Sequence, residues 1–492
     1  KHVWPRVGFQ HQPSHSWPVC HMALRSEDET SVAATHKGKG KGKGPPLPPR
    51  DLKGPPQAVT WSGPKVAICD GKLKSVGETI VTSIDGTRSI ERADGSVELL
   101  QPKHREDKPH NGRMADPTWP LPRLAVECSE LARPGYRPGK AHEYLDEDQV
   151  LRGKVALLAD MVRKAKHLVV YGGAGLSTAS GIKDWATHTG GGGVVAREQV
   201  NKGEGDGKGN GKGKGKSATP PVSFHSAQPN LGHRVVAAMA REGLLWRFIQ
   251  QNHDGLPQKA GMPQHLVNEI HGGIFDPSNP LVPMSGSVRN DLFQDLLLCE
   301  RKADLVLTLG SSLAGMNADR IVRTCADRAS ASGLGSVIVG LQTTPHDAES
   351  SIRIYATIDR TMELLAENLA LDLPSLQEVL PPVSVEEDVF EVPYDSEGRR
   401  LEDGLPRRTW DLRTGSIHYI TSGPDKGARA VILGKFEDKY SKHYRVGIRL
   451  RPEFQGDWED VRIMGSWWVS AAVSGNVEVL PIMSRDAEAA VQ

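Results

Sequence analysis

The chain has 492 residues, 38% hydrophobic and 25% charged, with a formal net charge of +1. That balance excludes binding driven by net charge alone, and no apolar run nears the roughly 18 residues needed to span a bilayer, so no membrane contact is expected. Its five cysteines (Cys20, Cys69, Cys128, Cys299 and Cys325) lie far apart without a C-x-x-C pair, which excludes a disulfide framework and fits an intracellular, reducing compartment.

Taken in chain order, residues 1–60, including "KGKGKGKGPPLPPRDLKGPP", hold too little apolar surface to offset the entropy of ordering and predict a disordered Lys/Gly/Pro-rich tail. Residues 61–100 alternate short β-rich runs with the turns Asp70-Gly71, Asp85-Gly86 and Asp94-Gly95, a small meander. Residues 101–143 read as a linker.

From 144 to 374 the pattern is α/β. Leu151, Val155, Leu158, Val162 and Ala165 form one helical stripe that leaves Arg152, Lys154 and Arg163 toward solvent. Leu168 to Tyr171 is apolar on both faces, as a parallel strand requires. A helix over His233 to Trp246, strands over Arg247 to Gln251, Asp304 to Ser312 and Ser336 to Gln342, and a closing helix over Asp359 to Leu371 complete a doubly wound, Rossmann-like parallel sheet. Residues 187–221, rich in Gly and Lys, predict a disordered insertion within it.

After an acidic linker (375–404), residues 405–483 predict a small antiparallel barrel of SH3-like type, and 484–492 a tail. Its expected strands are Ile417 to Ile420, Ala430 to Leu433, Tyr444 to Leu450, Val461 to Met464, Trp467 to Val469 and Val477 to Leu480, with Trp458, Trp467 and Trp468 in the core.

Two stretches carry chemistry. In "VVYGGAGLSTASGIKDW" a strand opens into Gly172, Gly173 and Gly175, a turn whose backbone can approach a pyrophosphate. In "QQNHDGLPQKAGMPQHLVNEIHGG" a strand ends on Gln251, Asn252 and Asp254, and His271 follows in a Gly-rich turn. Asn pairs with a carboxamide, Asp accepts from its NH2 group, and His acts as a general base near neutral pH. Together they suit cleavage of a nicotinamide–ribose bond.

These motifs resemble the sirtuins, NAD-dependent protein lysine deacylases, over about Leu151 to Leu373. "GGAGLSTASGIKDW" is similar to the family's GAG-I-S-x-x-S-G-I-P-D-F-R loop, "QNHDGL" to QN-x-DGL, "EIHGG" to E-x-HG and "LGSSLAG" to G-[TS]-S-L, in the family's order. "GLQTTPHD" and the final "LLAENLALDLP" are most similar to the class IV, nuclear branch. The resemblance implies that NAD contacts Gly173, Ala174, Gly175, Ser177, Asp184, Gln251, Gly310, Ser311, Ser312 and Leu341, that Asn252, Asp254 and His271 are catalytic, and that Val282 meets the substrate. It implies an acylated-lysine protein partner such as a histone and residence in the nucleus, while the charge of the Lys/Gly tracts and the aromatics of the C-terminal barrel make these the expected nucleic-acid or chromatin contacts.

The chain departs from the family in places. Lys183-Asp184-Trp185-Ala186 lacks the loop arginine, Gly340 stands where the family has Asn, and Leu281 to Ser287 replaces Val-x-Phe-Gly-Glu. Between Gly272 and Leu298 there is no Cys or His, so the four-ligand zinc module of the family is expected to be absent. A weakened deacylase, a non-catalytic NAD- or ADP-ribose-binding scaffold and a mono-ADP-ribosyltransferase all fit this residue set.

Overall fold

The computed structural model describes residues 67–69, 72–74, 78–82, 88–92, 97–100, 108–129, 131–133, 137–182, 224–283, 286–329, 333–375, 388–438, 442–451 and 458–484. The tail at 1–60, Asp184 with its neighbours 183–186, the insertion at 187–221 and residues 485–492 lie outside the described residues.

The N-terminal strands follow the Asp-Gly turns. β1 (Ala67–Cys69) pairs antiparallel with β2 (Lys72–Lys74), and β3 (Glu78–Thr82), β4 (Arg88–Arg92) and β5 (Val97–Leu100) form a three-stranded antiparallel sheet. Two further pairs join β6 (Arg123–Val126) to β9 (Glu143–Leu145) and β7 (Leu131–Arg133) to β8 (Arg137–Lys140).

The linker expected over 101–143 is corrected where it is described. Residues 111–114 run along an outer strand of the main sheet: Arg353 N donates to Asn111 O (2.9 Å), and Arg113 N and Met114 N donate to Ser350 O and Ser351 O (both 2.8 Å). They cover backbone groups that an edge strand would otherwise expose. Gly112 makes the approach feasible, because its φ is +96° and a Cβ would sit 2.6 Å from Ile352 Cα.

The main sheet has six strands, β10 (Leu168–Gly172), β11 (Arg247–Gln250), β12 (Val267–Glu269), β13 (Leu305–Leu309), β14 (Gly335–Val339) and β15 (Ile352–Ile354), in the order β12-β11-β10-β13-β14-β15. Every neighbouring pair is parallel. β10, β13 and β14 are buried at all five positions, the continuous apolar character that a sheet covered on both faces demands. Leu168, Val170, Leu305 and Leu307 pack with α1 (Asp148–Lys164), α2 (Leu231–Arg241) and the closing helix, Ile358–Leu369. Val169, Tyr171, Val306 and Ile338 pack on the other face with α3 (Asn290–Lys302) and α4 (Arg320–Arg328); the closing helix is α5. The expected doubly wound fold is what forms, with strand order reversing between β10 and β13, the place where such sheets bind ligands. Among the described residues no helix is long and apolar enough to cross a membrane.

On α1 the periodicity misassigns one residue. Lys154 is fully buried: its Nζ lies 2.7 Å from Asp146 Oδ1 and 3.0 Å from Asn111 Oδ1. Burial depresses its pKa, and the Asp146 carboxylate opposes that shift.

The C-terminal module is a half-barrel. β18 (Ile417–Ile420), β19 (Arg429–Glu437), β20 (Lys442–Arg449), β21 (Asp460–Met464) and β22 (Ile482–Met483) form an antiparallel sheet ordered β21-β20-β19-β18-β22, beside the pair β16 (Val389–Val392) and β17 (Arg408–Asp411). The expected small antiparallel barrel thus forms as a half-barrel, in which the described outer strands β21 and β22 do not pair with each other.

Trp467 to Val469, expected as a strand, begins α6 (Trp467–Ser474), which ends on Gly475 at φ +63° with the Gly475 and Asn476 amides bonded to Ala472 O and Ala471 O. Val477 to Leu480 has only a bridge between Val479 and Arg399 in place of a strand. Trp467 and Trp468 are buried in the module's core, while Trp458 is half-buried against Gly447.

Candidate cofactor and catalytic site

Because all six strands run in one direction, the residues following β10, β11, β12 and β13 share one edge of the sheet. Gly173 follows β10, Gln251 to Asp254 follow β11, His271 lies two residues after β12, and Gly310 to Ser312 follow β13. Ile270 N donates to Gln250 O (3.2 Å) and Gln251 N to Gly172 O (3.0 Å), which ties the three strand ends together.

The first glycine turn closes against the fourth loop. Gly173 N donates to Leu309 O (2.9 Å) and Gly175 N to Gly310 O (2.8 Å). A Cβ on Gly173 would lie 2.7 Å from Ser311 Cα, and one on Gly310, whose φ is +64°, 2.5 Å from the Gly175 carbonyl carbon. The two loops touch backbone to backbone, which only glycine allows. Both amides thus donate to carbonyls within the fold. Ala174 is exposed at the tip of the turn between them. Leu313, next after Ser312 in the same loop, holds a positive φ of 48°, a local strain of about 1 kcal/mol of the kind that clusters at ligand sites.

Asp254 organises the centre. It is 1% exposed, and its carboxylate accepts from Ser177 Oγ (2.6 Å), Gln250 Nε2 (3.1 Å) and Leu256 N (3.0 Å). Burial raises its pKa, and the Ser177 bond opposes that. With three donors in place, it acts as the support of the loop rather than as an open acceptor. Asn252 Nδ2 donates to Gly173 O (2.9 Å) and Ser177 Oγ (3.0 Å), which joins the loop to the glycine turn. Gln251 Nε2 donates to Ser311 Oγ (3.0 Å).

The His271 turn is bound to the same loop. His253 Nδ1 lies 2.9 Å from Gly272 O, and Ile274 N donates to His253 O (3.0 Å). Gly272, at φ +94°, packs so closely that a Cβ would lie 2.4 Å from Pro280 O. Val282 N donates to His271 O (2.9 Å), which sets Val282 beside the turn. Leu341 is half-buried past β14, its carbonyl accepting from Tyr144 N (2.8 Å).

Sequence reasoning gave His253 no role, overlooked Gln250 and gave Glu269 no role beyond its place in the EIHGG motif. The Glu269 carboxyl is buried, with its pKa pushed up to about 8 first by burial and then by Asp276. A Cβ on Gly273 would lie 2.6 Å from its Oε1. The polar residue ending an edge strand just before the His-Gly-Gly turn was the available signal. A folded pKa above the unfolded value of 4.5 means that stability is full below pH 4.5 and falls as pH rises toward 8. Over that window Glu269→Gln is expected to lose less stability than wild type, by an amount on the order of 4 kcal/mol if Glu269 ionises fully. Urea unfolding at pH 5 and pH 8.5 measures it, and parallel curves for the two proteins would contradict the assignment.

The site fits an extended polar ligand. Ser312 Oγ is buried without a hydrogen-bond partner at the end of β13, and the space around Gly340 at the end of β14 is open, with nothing within 4 Å of a Cβ. An orphaned hydroxyl and unfilled room beside the switch point are what a nucleotide would occupy.

Residues 173–278 match the Sir2 family. The chain is 28% identical over 316 residues to the NAD-dependent protein deacetylase SRT1 of Arabidopsis thaliana, covering 57% of this chain and 60% of that one. It is 28% identical over 312 residues to human NAD-dependent protein deacetylase sirtuin-7, covering 53% of this chain and 73% of the relative. A Sir2 structure with p53 peptide and NAD+ aligns at 21% identity and a TM-score of 0.33, over 43% of this chain and 96% of that one. The chain thus spans less than two thirds of the Arabidopsis relative's length. The matched stretch begins at Gly173 and includes Asn252, Asp254 and His271.

Proposed function

We propose that this chain is an NAD-dependent protein lysine deacylase that moves the acyl group from lysine to ADP-ribose and releases nicotinamide. The observation that carries the reading is the gathering of the glycine turn, the Asn252–Asp254 loop and the His271 turn at the switch point of a Sir2-family sheet. Bound NAD would supply an electrophilic ribose carbon that the acyl-lysine oxygen attacks as nicotinamide leaves.

The chain's own groups do the rest. Gly173, Ala174, Gly175 and Ser177 shape the pyrophosphate side, while Gln251, Gly310, Ser311, Ser312 and Leu341 line the adenosine side. Asn252 faces the nicotinamide end, held in place by its bonds to Gly173 O and Ser177 Oγ. His271 would take a proton from a ribose hydroxyl, so that this oxygen can bond the acyl carbon as the lysine amine departs with a proton, one water being consumed in forming O-acyl-ADP-ribose. Val282, bonded to the His271 carbonyl, guides the peptide past that ring. Asp184 completes the cofactor loop, and the missing loop arginine lowers the rate.

Incubating the purified chain with NAD and an acetyl-lysine peptide tests this. Nicotinamide is expected to appear in step with deacetylated peptide and O-acetyl-ADP-ribose. NAD cleavage that ignores the acetyl group would sink the deacylase reading and favour ADP-ribosyl transfer; NAD binding without turnover would favour the scaffold.

The reading includes a domain without structural zinc, supported by the lack of Cys and His from Gly272 to Leu298. Metal analysis of the purified chain is expected to find far less than one zinc per molecule, and EDTA is expected to leave its melting temperature unchanged. A stoichiometric zinc, or a melt that drops on chelation, would contradict it. Histone targets, nuclear residence and contact with nucleic acid belong to the same proposal, supported by the Lys-rich tracts; weak, salt-insensitive DNA binding would argue against the last of these.

A further inference from the structure

Phe275, four residues after His271 and still within the Sir2-matched stretch, belongs to the hydrophobic core of the C-terminal module with Trp410, Tyr444 and Trp467. Its carbonyl accepts from Gly465 N (2.9 Å) and from the Trp468 indole Nε1 (3.2 Å). Arg462 Nη1 reaches Pro277 O at 2.6 Å. The segment after the His271 turn is thus fastened to the module at successive backbone groups.

A second attachment lies under the Asn252–Gly255 loop. Gly255 sits at φ +63°, and a Cβ there would be 2.7 Å from the Phe275 ring and 3.1 Å from the Trp467 ring. Lys259, in the helical turn Leu256–Lys259 that follows, forms an ion pair with Asp438 at 2.8 Å, both side chains almost wholly buried. His443 Nε2 lies 3.2 Å from the same carboxylate, and the Lys259 ammonium stands 4.8 Å from the Phe275 ring centroid.

We infer that the C-terminal module is a positioning element of the site: Phe275 anchors the His271 turn in the module's core, and Trp467 with the Lys259–Asp438 pair braces the Asn252–Gly255 loop from behind. The inference rests on the proposed function only for what the positioned residues do; the bracing itself is independent of chemistry. Two loops that must keep a fixed spacing to act on one bond are tied to a single external body, and loss of that body frees both.

The test uses the full chain as wild type, Trp467→Ala, Trp467→Phe and Asp438→Asn, read by hydrogen exchange. Trp467→Ala and Asp438→Asn are expected to speed exchange about tenfold in peptides covering 252–260 and 270–282 while β10 and β13 stay protected, and Trp467→Phe to restore protection. Asp438→Asn covers the case in which Trp467→Ala unfolds the module. Unchanged exchange in both site peptides, with exchange raised inside the module alone, would overturn the inference. Where the wild type turns over NAD, the same variants are expected to lower kcat more than they raise the KM for NAD, whereas an equal fall in every parameter with the loss of folded protein would mark a purely structural role. A wild type that never cleaves NAD would overturn the functional reading and leave the exchange result to stand alone.

Discussion

His271→Ala is expected to lower acyl-lysine-dependent nicotinamide release by roughly 10²–10⁴-fold, the usual contribution of a positioned general base, while NAD still binds. The separation follows from where the groups stand. The imidazole sits on the turn after β12, whereas the glycine turn follows β10 and its partner loop follows β13, across β11 from the histidine. Truncating the ring leaves the contacts of Gly173 with Leu309 and of Gly175 with Gly310 untouched. Calorimetry with NAD and a nicotinamide assay on the same sample separate binding from turnover. Full activity in the variant would remove His271 from the chemistry.

Asp146→Ala is expected to destabilise the fold by about 3–5 kcal/mol, because it strands a buried ammonium. Asp146 Oδ1 faces Lys154 Nζ at 2.7 Å with both side chains at 0% exposure, and Oδ2 accepts from Tyr355 N (2.8 Å). The neighbouring Arg353–Asp347 pair is also buried, at 2.7 Å. Replacing both partners, as Asp146→Asn with Lys154→Met, removes the charge and is expected to recover much of the loss. Urea unfolding of the three proteins decides it; a single-variant loss under about 1 kcal/mol would mean the pair is dispensable.

The same lysine marks where the sequence stops being readable. A helical stripe says which face of α1 is apolar, and it correctly gathers Leu151, Val155, Leu158 and Val162 in the core. It carries no information about residues 111 and 146, whose oxygens make a buried ammonium tolerable. The parallel strands were legible because burial on both faces forces uninterrupted apolar runs, as in Leu305–Leu309. α6 was not, since Trp-Trp-Val has strand propensity; the Ala471-Ala472 pair and the terminal Gly475 were the overlooked helix signals.

In the site, motif residues could be placed at strand ends from sequence, but their partners could not. That the Gly173 and Gly175 amides are spent on carbonyls, that Asp254 is sealed under Ser177, and that His253 holds Gly272 all depend on contacts between segments distant in the chain. The attachment of Phe275 to a module almost two hundred residues later is of the same kind.

A crystal structure of the full chain with NAD and an acetyl-lysine peptide tests the central claim most directly. The account predicts the pyrophosphate against Gly173 to Gly175, the nicotinamide end toward Asn252, and the His271 ring within hydrogen-bonding distance of a ribose hydroxyl. A dinucleotide bound elsewhere, or a ribose turned away from that ring, would contradict it.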